Sequence, residues 1–455
     1  MSLNDLVAKL TGQSITNGWD AVLALNAAQL NALFFQHYVS KGPTDLATHF
    51  QAIVPDKTEY WVVDIKVGPP EISFAADLKQ QLQVKMFLLS GTLAKFDAST
   101  QRILNVIQVH PNESWLTGTA DLAKVSGTNN QLGEVVLELG SGAYQPQIKG
   151  IDPDSTLIAD LGVAFKTFFA QNQTRYPLGT ILQSQVPACL QPTDFSFFTQ
   201  AAPGSSGDGA VLVFIKTNGS GGTVGPLSTY PIPDGWTAAL LVSNQVVFNQ
   251  LLPPYLTQQF QNIQTNNKPI GTSFSGQRSG ALWQAVGQGG NIDIGTLRTD
   301  NGDSTNEDGN DRDVVVHLDN FVVGKGGANL SVSWDYSWDQ YWTYIAGGGR
   351  FATPETDKVT FHTSYTLTGI PSVDPVTDIV RFAGNGTLSV WSSGGPDWFA
   401  REVMGQPEIP SLFKSAIQNV LQSVFSLLQL PSVNTFAIAN LLFPSQHSLS
   451  LQQAA

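Results

Sequence analysis

Charge is what this chain has little of. Only 13% of its 455 residues are Asp, Glu, Lys or Arg, about half the roughly 25% of an ordinary soluble domain. With 23 Lys and Arg against 36 Asp and Glu, the formal net charge is −13. That balance repels phosphates, no basic run offsets it, and nucleic-acid binding is not expected. Cysteine is scarcer still. The single Cys189 allows neither an internal disulfide nor a Cys-rich zinc site. A reducing compartment fits. The opening MSLNDLVAKLTGQSITNGWDAVLAL lacks the basic n-region and unbroken apolar core of a Sec signal, so the expected location is cytoplasmic, or outside the cell by release without a Sec signal peptide. After Lys414 no charged residue follows, but Gln418, Asn419, Gln422 and Gln429 interrupt every stretch long enough to span a bilayer, and no membrane span is expected.

Catalytic signatures are missing too. There is no phosphate-binding glycine loop, no Gly-x-Ser-x-Gly elbow and no His-Glu-x-x-His. His37, His49, His110, His317, His362 and His447 are scattered, with no two within a helical turn. The chain therefore reads as a non-enzyme, with no catalytic residue, cofactor or metal assigned. The acidic stretch of residues 300–313, which includes Asp303 and Asp308, offers oxygen ligands but does not match the spacing of an EF-hand, and a solvated loop is expected.

In place of charge stand amides, hydroxyls, 42 Gly and an ample set of aromatics: 10 Trp, 10 Tyr and 25 Phe. Such a chain can bury large cores, so disorder is excluded, and its length suits two to four domains. Two segments look like copies. NGWDAVLALNAAQLNALFFQHYV (residues 17–39) and DGWTAALLVSNQVVFNQLLPPYL (234–256) each run from a turn residue through Gly-Trp into some twenty mostly apolar or small residues. Asn31 to Phe34 match Asn249 to Leu252 if the second copy carries one inserted residue. Both read as helices, the second kinked or ended by Pro253-Pro254. A second echo joins residues 153–171, with Leu157, Ile158, Leu161, Phe165, Phe168 and Phe169 on one helical face, to residues 410–430, with Phe413, Ile417, Val420, Leu421, Val424 and Phe425.

Between these helices the pattern is β. Alternation at 60–67 and 82–88, and further runs at 102–110, 115–125, 132–139, 211–216, 313–323, 330–344, 358–368 and 379–391, predict antiparallel strands separated by Gly, Pro, Asn and Ser. On the strand SVSWDYSWDQYWTY, Trp334, Tyr336, Trp338, Trp342 and Tyr344 share a face. That stripe reads as core, as the lining of an acyl pocket, or as a stacking platform for sugars.

The Gly18-Trp19-Asp20 start, the helix with Asn31, the second Gly235-Trp236 copy and the sheet-then-helix order resemble the TULIP-like accessory proteins encoded beside some clostridial neurotoxin genes, and their bacterial relatives. The resemblance implies an α+β fold of two TULIP-like modules, each a curved antiparallel β-sheet wrapped around long amphipathic helices. The expected division is residues 1–215, a Gly/Pro-rich linker or crossover at 216–234, and 235–455. It implies binding of a lipid or another elongated apolar molecule, a role as an accessory component of a toxin assembly, and protein partners from the same gene cluster. On the facing sides of sheet and helices, Leu33, Phe34, Phe165 and Phe169 in the first half and Leu251, Trp338, Val420 and Val424 in the second are the expected ligand-binding residues. Two alternatives stand beside it: a protein-interaction scaffold with a filled core of the same kind, and a carbohydrate-binding or carbohydrate-active β-protein.

Overall fold

A computed structural model describes residues 1–2, 5–6, 9, 15–40, 49–75, 81–126, 131–182, 192–204, 207–217, 221–280, 282–298, 311–326, 329–346, 353–374, 379–394 and 409–428. The fold is α+β, with antiparallel strands dominating a few helices. The chain forms two compact units, Met1–Ser243 and Asn244–Thr435.

The first unit begins with a correction. The segment expected to be one helix from residue 17 is a strand, β1 (Ala21–Asn26), followed by a helix, α1 (Ala27–Ser40). Ala21-Val22-Leu23-Ala24-Leu25 is a short, uniformly apolar run, which periodicity alone does not assign to strand or helix. It is a strand because both its edges are occupied. β1 lies between β10 (Gly209–Lys216) and β11 (Ala238–Val242), with β9 (Asp194–Ala201) beyond β10. A central strand covered on both faces reads as a continuous apolar run. Asn26 then caps α1, its Oδ1 accepting from the Gln29 amide at 2.9 Å.

The second Gly-Trp segment turns out the same way, since β11 belongs to it. The two copies pair with each other: Ala21 faces Val242, Leu23 faces Leu240 and Leu25 faces Ala238. Equivalent residues thus sit symmetrically about the Leu23–Leu240 pair, a local two-fold axis written into the repeat. Residues 221–235 close over this small sheet. Leu227 and Ile232 are buried with Trp19 and Phe214, and the Trp19 indole donates to the Thr223 carbonyl at 3.3 Å.

The larger sheet of the first unit runs β2 (His49–Asp56), β3 (Glu59–Ser73), β4 (Gln81–Asp97), β6 (Trp115–Ser126), β7 (Gln131–Gln147) and β8 (Arg175–Leu182), and β5 (Ile103–Val109) pairs with the C-terminal half of β4. Its second helix, α2 (Thr156–Gln171), touches both β7 and β2, and α1 touches both β3 and β8. Strands at opposite ends of the sheet order reach the same helix only if the sheet curls, and this one is a half-barrel. The expected helical face is the buried one: Leu157, Ile158, Leu161, Phe165 and Phe169.

In the second unit the helical part begins with a π-turn, Val246–Leu251, which runs straight into α3 (Leu252–Asn262). The Leu252 amide reaches back five residues to the Val247 carbonyl. A π-turn is one residue inserted into a helix, which is what the alignment of the copies requires. Of the kink or end that the sequence offered at Pro253-Pro254, the end does not occur. The prolines occupy its first turn, where their missing N–H groups cost nothing.

The main sheet here runs β14 (Ser273–Ser279), β15 (Leu282–Gln288), β18 (Val322–Gly326), β19 (Asn329–Ala346), β20 (Thr353–Asp374) and β21 (Ile379–Ala383), with β22 (Thr387–Gly394) also on β20. Two separate two-stranded hairpins, β12–β13 (Gln264–Thr265, Lys268–Pro269) and β16–β17 (Asn291–Arg298, Asp311–His317), and the helix α4 (Ile409–Ser426) complete the unit. Two expected strands are split, 313–323 by the turn at Leu318–Phe321 and 379–391 at Gly384–Gly386. Most of the acidic stretch 300–313 lies outside the described residues. In both units an asparagine of the copied segment meets a strand. Asn31 Oδ1 accepts from the Ile72 amide at 2.7 Å, and Asn249 sits so close to Gly276 that no Cβ fits between them.

Candidate binding site

α4 presents Phe413, Ile417, Leu421, Val424 and Phe425 to the interior of the second unit. They meet an aromatic layer that the sequence announced as a stripe. Trp334, Tyr336 and Trp338 stack along β19 at centroid spacings of 6.5 and 5.7 Å. Trp338 stacks on Phe361, Phe361 on Phe413, and Tyr365 on Phe425 at 4.2 Å. Trp334 is 2% exposed. The stripe therefore faces α4 and packs on the core, with Trp334 buried and Tyr336 and Trp338 partly so. The side chains of Trp342 and Tyr344 lie outside the described residues. Among the described residues the Trp334 indole N–H has no hydrogen-bond partner.

At the edge of this layer a cleft of about 300 Å³ opens. One wall is a stripe of α4, Asn419, Val420, Ser423 and Val424, continued by Leu427 just past its end. The other is Ile263, Gln264, Thr265, Asn266 and Asp293. The second wall is fixed by turn chemistry. Asn266 and Asn267, at the tip of the β12–β13 hairpin, both take positive φ, 49° and 61°, as a type I′ turn demands. This brings the Asn266 amide to Asp293 Oδ1 at 3.1 Å, opposite the Lys268 ammonium on Oδ2 at 2.7 Å. The Gly295 amide adds a third donor at 2.9 Å. Lys268 first, then Asn266, hold the Asp293 carboxyl below its ordinary value.

The eight expected ligand-binding residues fall into three groups. Val420 and Val424 come together in the cleft wall. Phe34, Phe165 and Phe169 are at most 1% exposed. Phe34 packs edge-on to Tyr176, Phe165 stacks on Phe50 at 3.9 Å and Phe169 packs against Tyr144. Leu33, Leu251 and Trp338 are half-buried. Sequence reasoning missed the polar side of the cleft. The Asn266-Asn267 dipeptide was a readable hairpin signal, and Asn419, Ser423 and Leu427 follow at four-residue steps beside Val420 and Val424. Asp293 carried no such signal.

Three histidine rings have polar side-chain partners: His317 Nδ1 lies 2.7 Å from Asn291 Oδ1, and the other two stand on solvent-facing sheet surfaces. His49 pairs with Asp64. His362 sits between Ser337 on Nδ1 and Ser393 on Nε2, each at 2.9 Å. Among the described residues no group of three or more His, Cys, Asp or Glu could hold a metal ion, and no helix is long and apolar enough to cross a membrane.

No protein-family model matches the chain, and no curated protein matches its sequence. Among solved structures it is similar to P47 from Clostridium botulinum A2, with a TM-score of 0.57 over 91% of this chain and 90% of that one at 11% identity. P47 of Clostridium botulinum E1 aligns with the same score over 90% and 89% at 13% identity. Likeness at that identity establishes the fold.

Proposed function

We propose that this chain is a non-enzymatic binding protein built of two TULIP-like modules, and that it takes an amphiphile by its apolar end in the cleft beside α4. The observation that carries the reading is the cleft itself. Val420, Val424, Leu427 and Ile263 give it an apolar side, while Asn266, Asn419, Ser423 and Asp293 line it with polar groups, the composition expected of a pocket that orients an apolar ligand. Its size limits the ligand. At roughly 30 Å³ of liquid volume per water-sized group, the space admits about ten non-hydrogen atoms, a segment of one acyl chain with the headgroup outside.

The fold shared with the P47 proteins along nine-tenths of the chain supports the resemblance to the clostridial TULIP-like accessory proteins. A role in a toxin assembly, with partners from the same gene cluster, is part of this proposal on that ground. A fluorescent medium-chain fatty acid should bind saturably, and Val420→Trp, at a partly buried position of the cleft wall, should weaken binding by about tenfold or more. Saturable binding that Val420→Trp leaves unchanged would move the site elsewhere. The scaffold reading is favoured by a different surface, on the first unit.

A further inference from the structure

The outer face of β2, β3, β4 and β5 in the first unit is apolar where a solvent-facing sheet surface is ordinarily polar. Cross-strand registers place Ile53 opposite Val62, Val62 opposite Ala94 and Ala94 opposite Val106, one apolar row across four strands. A second row joins Pro55, Tyr60, Phe96 and Ile103. Ile53 is 69% exposed, Ile103 61%, Leu104 49% and Val106 45%. Beyond these rows the face turns polar at Gln51, Asp64, Thr92 and Gln108, which pair across the strands. The apolar patch is therefore bounded, unlike apolar residues scattered singly over a surface.

β5 forms the edge of this patch, and among the described residues it pairs only with β4. Its outer row of backbone N–H and C=O groups is a template for another strand. Edge strands are normally guarded by charge, by proline or by a covering element. Ile103-Leu104-Asn105-Val106-Ile107-Gln108-Val109 carries neither charge nor proline. One irregularity, where Phe96 faces Ile103 and Lys95 faces Asn105, is confined to its start.

We propose that β5 is the interface of a homodimer, in which the β5 strands of two copies pair antiparallel about a two-fold axis at Val106. The occupant follows from what the edge can recognise. Unpaired backbone groups take an extended segment, and a second β5 is one already held extended by β4. At a net charge of −13 two copies repel at a distance, so they approach best through a strand without a carboxylate. Pairing about Val106 joins the row Ile53–Val62–Ala94–Val106 of each copy into one eight-strand row, with Val106 against Val106 and Leu104 against Gln108. The interface belongs to the first unit and the cleft to the second, and the proposal does not depend on ligand binding.

Light scattering of the full chain across a concentration series should show a doubling of mass, and Val106→Lys should raise the dimer dissociation constant about tenfold or more by setting like charges opposite each other. Because Val106 is exposed, the monomer's melting temperature should stay within about 2 °C, as for surface changes generally. In a Cys189→Ala background, Val106→Cys should form an intermolecular disulfide on mild oxidation, while Val224→Cys, exposed but outside the patch, should not. A monomer at every concentration overturns the proposal. So does a dimer that survives Val106→Lys, or one that Val106→Cys fails to cross-link.

Discussion

The two Gly-Trp segments start alike and diverge after some ten residues, and the divergence shows what one inserted residue does. Each enters as a strand, β1 or β11, and these strands pair about a local two-fold. The first continues through an asparagine cap into the regular α1, and the second through the π-turn into α3. A helix cannot absorb an insertion without rotating its later residues by about 100° relative to the earlier ones. The π-turn takes up that rotation locally, so Leu256 and Phe260 still face the core. The prolines that follow remove backbone donors where a first turn does not need them. The repeat thus preserves which side chains are buried, and the hydrogen bonding adjusts.

The largest expected contrast between the copies lies at Asp20 and its counterpart Thr237. Asp20 is 3% exposed and accepts from the Thr217 amide at 2.7 Å and its hydroxyl at 3.0 Å. Thr237 donates one half-buried hydrogen bond, to Gln29 at 3.0 Å. Asp20→Ala should cost about 3 kcal/mol, since it strands a buried amide, and Thr237→Ala about 1 kcal/mol. Urea unfolding of the two variants measures both, and equal losses would mean that the copies are anchored alike after all. A smaller effect is expected inside the π-turn, where Gln250 Oε1 is buried and, among the described residues, has no partner. Gln250→Leu should raise stability by up to about 1 kcal/mol by removing that acceptor. A melting temperature lowered by the change would show that the carboxamide has a use.

The smallest contrast is in acid. Asp194 in the first unit and Asp293 in the second are both held below the ordinary carboxyl value, chiefly by Lys124 and by Lys268. A depressed folded value gives stability that is fully present above the unfolded value, near pH 4, and is lost as pH falls through the folded one. Asp194→Asn and Asp293→Asn should therefore each flatten the decline of stability below about pH 4 and leave its pH dependence near pH 7 unchanged. A slope altered at neutral pH instead would assign the titration to other groups.

Much of the fold was legible in the sequence. The faces of α2 and α4 followed from three- and four-residue spacing, and β3 and β4 from strict alternation. The aromatic stripe of β19 was legible as a shared face, because strand geometry alone decides that. The partner of a face is a tertiary fact: spacing favoured the core reading over pocket or platform, and it is Phe413 and Phe425, packed against the stripe, that place it in the core. β1 was missed for a related reason: a uniformly apolar run carries no period, and the neighbours that make it a strand, β10 and β11, lie some 190 and 215 positions away. At the cleft the helical half was readable from Val420 and Val424. The other half depends on a hairpin that carries Asn266 to Asp293, a meeting that spacing in the sequence does not encode.

The account rests on a ligand in the α4 cleft. Native mass spectrometry of the full chain, as purified and after organic extraction followed by addition of a medium-chain fatty acid, tests it most directly. One bound amphiphile per chain, removed by extraction, restored by the added fatty acid and absent from Val420→Trp, is the predicted result. A chain whose mass never exceeds that of the polypeptide, or an adduct that Val420→Trp retains, would contradict it.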